Sequence, residues 1–327
     1  MERAGNPDES APGVSVILPV YNERENLEEL HSRLTKALDG VRREYEILYV
    51  DDGSDDGSWE ILSRLASGDA RVRLVRFRKN FGQTPALAAG MHYARFPILV
   101  TLDADLQNDP ADIPRLLRKL EEGYDVVSGW RRHRRDRAIS RRLPSRIANW
   151  LIGWVTGVRL HDSGCALKVY RRAILEDVRL YGEMHRFLPV LVAWVGGRVV
   201  EVEVAHHPRI HGVSKYGIVR TFKVLLDLMT VKFLRDYSSK PNYVFGGFGL
   251  LMLGLGFLSF LIVAYRVFVL RHLEATPLVF MMVIFFLIGV FSVFVGLLAE
   301  IIIRGQYETH GRPTYYVKET VGLESER

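Results

Sequence analysis

The segment Ile98-Leu-Val-Thr-Leu-Asp-Ala-Asp-Leu-Gln-Asn108 carries the strongest chemical signal in the chain. An apolar strand pattern, Ile98 to Leu102, runs straight into Asp103, Asp105 and Gln107. Alternation along an extended chain would place these three oxygen-bearing side chains on one side. An open set of hard oxygen donors suits Mg2+ or Mn2+ that also holds substrate phosphates. The same residues read equally well as an acidic turn leading into a helix, because Asp109-Pro110 is a good helix start. On this segment alone both readings stand.

The elements before it place more polar residues in equivalent positions. Val14 to Val20 reads as a buried strand ending in Pro19-Val-Tyr-Asn-Glu23, with Asn22 and Glu25 as a reciprocal helix cap. Leu27, Leu30, Leu34 and Leu38 then form a helical stripe that Gly40 ends. Tyr45 to Val50 runs into Asp51 and Asp52, followed by a helix around Trp59 and Leu62. Val72, Leu74 and Phe77 lead to Asn80 and Gly82, and Pro85 opens an alanine-rich helix. Strand and helix alternate throughout, which predicts an α/β, Rossmann-like fold with a mostly parallel sheet covered on both faces. Ligands in such folds bind beyond the carboxyl ends of the strands. Polar clusters at successive strand ends therefore describe a crevice. The first turn has neither a GxGxxG fingerprint nor a Walker lysine, which disfavours a dinucleotide fold or a P-loop NTPase.

A helix over Pro110 to Glu122 and strands over Asp125–Gly129 and Val199–Ala205 extend the pattern. Between them lies a basic run, Arg131, Arg132, Arg134, Arg135, Arg137, Arg141, Arg142 and Arg146, with Ser145 inside it. No aromatic stacking platform or nucleic-acid motif accompanies it, so nucleic acid is not an expected partner. Arginine's planar fork suits phosphate. His161, His206 and His207 fit no zinc spacing, and Cys165 is the only cysteine.

The chain has 327 residues and a net charge of +6. Residues 1–12 read as a polar, disordered tail without a signal-peptide core. Two uncharged runs, Tyr243 to Tyr265 and Thr276 to Ala299, are each long enough to cross roughly 30 Å of hydrocarbon as helices. Lys232, Arg235 and Lys240 precede the first span, and Arg304, Arg312 and Lys318 follow the second. The positive-inside rule then puts both termini in the cytoplasm. The expected organisation is a catalytic domain over 13–216, interfacial amphipathic helices over 217–241, two spans within 242–304 (about 243–266 and 276–303), and a cytoplasmic segment over 305–327.

Together, Pro19-Val-Tyr-Asn-Glu23, Val50-Asp-Asp-Gly-Ser54, Asn80-Phe-Gly-Gln83, Leu102-Asp-Ala-Asp-Leu-Gln107 and the later Arg209, Gly212, Ser214, Lys215 resemble the family 2 glycosyltransferases. Within that family they are most similar to the polyprenyl-phosphate glycosyltransferases. The resemblance implies a GT-A fold and a membrane enzyme that moves one sugar, with inversion, from a UDP- or GDP-sugar to undecaprenyl or another polyprenyl phosphate. Another lipid acceptor, such as diacylglycerol, is the alternative. It also implies that Pro19, Tyr21, Glu23, Asp51, Asp52, Asn80, Gly82 and Asp103 hold the nucleotide. Asp103, Asp105 and Gln107 would bind Mg2+ or Mn2+. Arg131, Arg141, Arg142, Ser145, Arg209, Ser214 and Lys215 would hold the acceptor phosphate. Asp162 matches a carboxylate treated in the family as the base, and Asp105 and Arg131 would join it in catalysis. Glu183 to Arg186 is the candidate for reading the sugar. Members of the family often form homo-oligomers. No glutamine begins the Gln-x-x-Arg-Trp motif of processive synthases, and the spans come only after the catalytic domain. Both features point to single-sugar transfer.

Overall fold

Val14–Val20 forms β1, and nearly every residue in it is buried, because helices cover both faces of its sheet. Val14, Val16, Leu18 and Val20 join one apolar cluster, and Ile17 joins another on the opposite face. The computed structural model describes residues 12–132, 152–153, 156–176, 178, 184–208, 242–269, 277–308 and 315–323. The expected tail, the interfacial helices and most of the arginine run lie outside them.

After β1 come α1 (Leu27–Asp39), β2 (Tyr45–Asp51), α2 (Ser58–Gly68), β3 (Val72–Phe77), α3 (Gln83–Tyr93) and β4 (Ile98–Thr101). A short 3-10 turn, Pro110–Asp112, leads into α4 (Ile113–Glu121), followed by β5 (Val126–Trp130) and β6 (Lys168–Arg171). Then come α5 (Arg172–Glu176), a 3-10 segment Met184–Phe187, α6 (Leu188–Trp194) and β7 (Val199–Glu203). Two long helices, α7 (Asn242–Phe268) and α8 (Pro277–Glu308), precede β8 (Val317–Val321).

The sheet order is β7-β5-β6-β4-β1-β2-β3-β8. Strands β4, β1, β2 and β3 run parallel, so their carboxyl ends share one edge. β6 and β8 pair antiparallel with their neighbours, making the sheet mixed but mostly parallel as expected. The helix stripe of Leu27, Leu30, Leu34 and Leu38 packs with Leu62 of α2 and Leu116, Leu117 and Leu120 of α4. Each such leucine contributes about 1.5–3 kcal/mol on burial. The opposite face holds Leu87 of α3, Leu175 of α5 and Leu188 of α6. α3 is alanine-rich because it lies so close to the sheet: a Cβ on Gly90 would stand 2.2 Å from Ile17 Cγ2.

Two expectations of local structure are corrected. Asn22 does not cap α1, whose N-cap is Asn26; Asn22 instead sits at φ 54. β4 ends at Thr101, and Ala104-Asp105 already lie in a turn, with Leu106 at φ 58. The acidic residues therefore converge through a turn and not through strand alternation. β8 was not anticipated at all. It lies in the segment expected to be only a cytoplasmic tail, yet it forms an edge of the sheet.

α7 and α8 contain windows long and apolar enough to cross a membrane, Phe245–Phe268 and Pro277–Ala299. Only 17% and 6% of those windows are buried, unlike the core helix of a soluble domain. They pack on each other through small residues, since a Cβ on Gly249 would meet Gly289 O at 2.8 Å.

Gly90→Ala should destabilise the folded chain by about 1–3 kcal/mol through overpacking against Ile17, despite alanine's better helix propensity. Gly68→Ala, at the end of α2 with open space around it, should be neutral or mildly stabilising. Unfolding midpoints followed by tryptophan fluorescence would check the opposite signs.

Candidate active site

The loops beyond β1, β2 and β3 are tied to one another by side chains on the sheet's carboxyl edge. Asn22 Nδ2 donates to Asp55 Oδ1 at 2.7 Å, and Asp55 N returns a bond to Asn22 Oδ1 at 3.0 Å. Asn22 N donates to Ser54 Oγ, and Glu23 N donates to Ser58 Oγ. Asn26 Nδ2 holds Glu23 Oε2 at 2.6 Å, so the loop carrying Tyr21 and Glu23 is fixed at both ends. Asp51 Oδ1 accepts from Ser54 N, and Arg76, itself over the Trp59 ring, stands 3.5 Å from Asp51 Oδ2. Asp52 accepts from Phe81 N at 2.6 Å and Gly82 N at 2.8 Å. Burial pushes the Asp52 carboxyl up to about 6, against those two amides. Gly53 must be glycine twice over: its φ is +70, and a Cβ would lie 2.5 Å from the Lys79 carbonyl carbon. Pro19 is half-buried at the end of β1, and Asn80 is exposed on the β3 loop.

The acidic turn lies on the same edge. Gln83 Nε2, from the start of α3, donates to Asp103 Oδ1 at 2.7 Å. Asp105 is buried and accepts from Gln107 N at 3.1 Å. The Asp103 carboxyl is raised by burial and then by Asp105, while Arg131 and Lys168 pull it down and Glu23 raises it. Thr101 of β4 and Ser128 of β5 both pair with Lys168 of β6, so the acidic turn and Arg131 leave the sheet on either side of Lys168. His207 N donates to Gln107 O, and His207 Nε2 meets Asp109 Oδ2 at 3.0 Å, docking the end of β7 against this turn. Asp109 also caps the 3-10 turn through Ala111 N, as its position before Pro110 implies.

Across from the acids, Arg131 forms a two-pronged ion pair with Asp162: Nε to Oδ2 at 2.7 Å and Nη2 to Oδ1 at 2.9 Å. Burial works against the Arg131 charge, but Asp162 more than offsets it and its pKa rises. Glu201 of β7 accepts from both His161 N and Asp162 N, which fixes the Asp162 backbone. Trp130 stacks on His161 at 4.3 Å, and Arg132 pairs with Glu203. Lys168 is buried at the start of β6, with Nζ donating to Ser163 O at 3.2 Å. Burial lowers its pKa, with Cys165, Asp162 and Asp103 opposing.

The structure thus gathers Tyr21, Glu23, Asp51, Asp52, Gly82, Asp103, Asp105, Gln107, Arg131 and Asp162 along one edge. Arg141, Arg142, Ser145, Arg209, Ser214, Lys215 and Glu183 lie outside the described residues. His185 is buried against α3, its Nδ1 2.6 Å from Thr84 Oγ1. Three contributors escaped the sequence reading: Gln83 on Asp103, Glu201 behind Asp162, and Lys168. Gln83 left a signal as the last residue of the Asn80-Phe-Gly-Gln83 motif, and Lys168 as a charge inside the apolar run Leu167 to Tyr170. Among the described residues no group of three or more His, Cys, Asp and Glu could by itself hold a metal ion.

A model of glycosyl transferase family 2 matches residues 15–179, the span that contains the loops after β1, β2, β3, β4 and β5. A dodecaprenyl-phosphate galacturonate synthase of Rhizobium johnstonii is 41% identical over 317 residues, covering 94% of this chain and 92% of the relative. The chain belongs to glycosyl transferase family 2. An undecaprenyl-phosphate 4-deoxy-4-formamido-L-arabinose transferase of Shewanella sediminis is 38% identical, covering 94% of this chain and 92% of that one. Among solved structures, mannosyltransferase PcManGT of Pyrobaculum calidifontis, in complex with GDP-Man and Mn2+, aligns with a TM-score of 0.51 and 18% identity. It covers 94% of this chain and 79% of its own. Glucosyl-3-phosphoglycerate synthase of Mycobacterium tuberculosis, with Mn2+, UDP and phosphoglyceric acid, aligns at 0.53 and 20% identity over 69% of this chain and 79% of its own. These likenesses establish the GT-A fold, and the chain is a glycosyltransferase.

In this glycosyltransferase Asp162→Ala should strand the Arg131 charge in a buried site and cost about 3–5 kcal/mol of stability. Arg131→Met combined with Asp162→Leu should recover most of that stability without restoring activity. Denaturant titrations of the three proteins would check it; an Asp162→Ala protein as stable as the parent would contradict the ion pair.

Proposed function

We propose that this glycosyltransferase transfers a single sugar from a UDP- or GDP-sugar to a polyprenyl phosphate, of which undecaprenyl phosphate is the type, at the cytoplasmic face of the cell's inner (plasma) membrane. The observation that carries the reading is that the carboxylate-rich turn after β4 and the Arg131 fork after β5 leave the sheet on either side of Lys168 in β6. One side of the crevice suits a metal-bound diphosphate, and the other a free phosphate. The polyprenyl-phosphate enzymes of Rhizobium johnstonii and Shewanella sediminis, each matched over 94% of this chain, support the acceptor class.

Asp51, Asp52, Tyr21, Glu23, Pro19, Asn80 and Gly82 would hold the nucleoside from the β1, β2 and β3 loops. The Asp103, Asp105 and Gln107 donor set fits Mg2+ or Mn2+. Burial and the neighbouring carboxylate both raise Asp103, a repulsion that a bound dication would relieve. With no closed cage among the described residues, the remaining ligands would come from the diphosphate and water. Such an ion, when bound, neutralises charge developing on the leaving diphosphate. Gln83 keeps Asp103 oriented throughout.

The acceptor phosphate oxygen attacks the anomeric carbon, and the bond to the nucleoside diphosphate breaks with its electron pair leaving on the diphosphate. A single displacement of this kind inverts the carbon. A phosphate monoester has its second pKa near about 6, so the nucleophile is mostly dianionic at neutral pH and no proton need move. Both Asp162 oxygens are engaged by Arg131, so Asp162 acts as a positioning residue for that fork and not as a base. Arg141, Arg142, Ser145, Arg209, Ser214 and Lys215 would complete the acceptor-phosphate site in this reading, and Glu183 to Arg186 would read the sugar. β8 follows both apolar helices yet belongs to the catalytic sheet, which supports an even number of bilayer crossings between β7 and β8. That connectivity supports a two-span hairpin with the catalytic domain and the C-terminal strand on one side.

Asp105→Ala should abolish transfer, a loss on the order of several kcal/mol in the transition state. EDTA should do the same to the parent enzyme, and Mg2+ or Mn2+ should restore it. Full turnover by the substituted or metal-stripped enzyme would sink the metal assignment. Arg142→Ala should raise the KM for polyprenyl phosphate about ten- to hundredfold with nucleotide affinity unchanged, and lysine should rescue only in part. Acceptor kinetics and nucleotide calorimetry separate the two effects.

A further inference from the structure

We propose that the C-terminal segment Tyr315–Leu323, which follows both apolar helices in the chain, is a positioning element of the nucleotide site. The inference rests on the donor reading of Asp52 and its neighbours. The segment's β8 pairs antiparallel with β3, Val321 opposite Leu74 and Val317 opposite Phe77, with an irregularity between Arg76 and Phe77. An edge strand could do no more than shield the open side of a sheet. Its first residues do something more local.

Arg78 N donates to Tyr316 O at 3.0 Å, just where β3 leaves the sheet for the donor loop. The Tyr315 ring is buried and stacks on Phe77 with centroids 4.9 Å apart. Phe81 meets Phe77 edge-on at 5.7 Å and lies 6.0 Å from Tyr316. Four aromatic rings thus form one cluster, two from the donor-loop side and two from the chain's end. Phe81 is the joint: its ring sits in the cluster, and its backbone N–H is one of the two amides that hold Asp52. The next amide, from Gly82 at φ +102, is the other. Arg78, Lys79 and Asn80 are exposed, so this cluster is the apolar support of an otherwise solvated loop. Further along, Arg73 Nε donates to Gly322 O at 3.1 Å and fixes the far end of the strand. Loss of the tyrosine rings would loosen the Phe81 backbone and with it the two bonds that orient the Asp52 carboxylate. Only residues 309–314 separate α8 from this cluster in the chain, so the polypeptide that leaves the second apolar helix ends by completing the donor site.

The test uses the full-length protein in detergent, with UDP and GDP as probes. Tyr315→Ala combined with Tyr316→Ala should weaken nucleotide binding about tenfold by calorimetry, while the KM for polyprenyl phosphate stays within about twofold. Tyr315→Phe combined with Tyr316→Phe keeps the rings and should bind as the parent does. A chain ending at Arg312 should show at least the alanine pair's loss; the alanine pair decides the matter if that chain does not fold. Asp52→Ala serves as the control for the donor reading. If Asp52→Ala weakens the nucleotide and the alanine pair does not, even with a lowered melting temperature, the segment is only an edge cover and the inference falls. If Asp52→Ala leaves binding unchanged, the donor reading itself falls.

Discussion

Two carboxylates, Asp103 and Asp105, are held in one desolvated turn at the end of β4, and the rest of the site is arranged around their repulsion. Burial and the neighbouring Asp105 each disfavour the charged form of Asp103. Gln83 supplies Asp103 a neutral donor, and Arg131 and Lys168 supply positive charge that favours its ionised form. Those two cations are themselves buried and depend on Asp162 and Ser163 for partners. Removing any one group leaves another buried without compensation, which costs far more than the pair contributes when intact. In the proposed reaction a dication relieves the same repulsion, and the leaving diphosphate shares it.

The sheet makes this concentration of polar groups possible. Parallel strands send four loops to one edge, and the loops fasten one another before any ligand arrives. The reciprocal bonds between Asn22 and Asp55 and the two amides on Asp52 would leave these loops little to reorganise if they bind the donor as proposed. Preorganised groups of this kind do most for a reaction in which charge moves from a sugar carbon to a leaving diphosphate. In the proposed reaction the apolar helices would add nearness, because an acceptor confined to a bilayer surface would meet the donor site far more often than one in bulk water.

Much of this was legible in the sequence, because β1 to β4 each combine an apolar run with a polar end and the helices between them carry plain stripes. For that reason Tyr21, Asp52, Asp103 and Asp105 could be placed at the sheet's carboxyl edge from the sequence. The turn at Ala104-Asp105 was not, since an extended continuation satisfies the same residues until Leu106 takes a positive φ. Asn22 looked like a cap because its type suits both roles, and only the long-range bond to Asp55 decides between them. β8 was hidden by its composition: Val317-Lys-Glu-Thr-Val321 has the polar character of a solvated tail, and it becomes a strand by pairing with β3. The bond between Arg131 and Asp162 spans 31 positions in the chain and has no local signature.

The central claim is that a sugar passes directly from a nucleotide to a lipid phosphate at this carboxylate–arginine crevice. The most direct measurement gives the purified protein a panel of labelled UDP- and GDP-sugars with undecaprenyl phosphate or, separately, diacylglycerol, and follows the anomeric configuration of the lipid product by NMR. The account predicts a glycolipid only with the phosphate acceptor, dependent on a divalent ion, with the donor's anomeric configuration inverted. A product with diacylglycerol but none with undecaprenyl phosphate, or retention at the anomeric carbon, would contradict it.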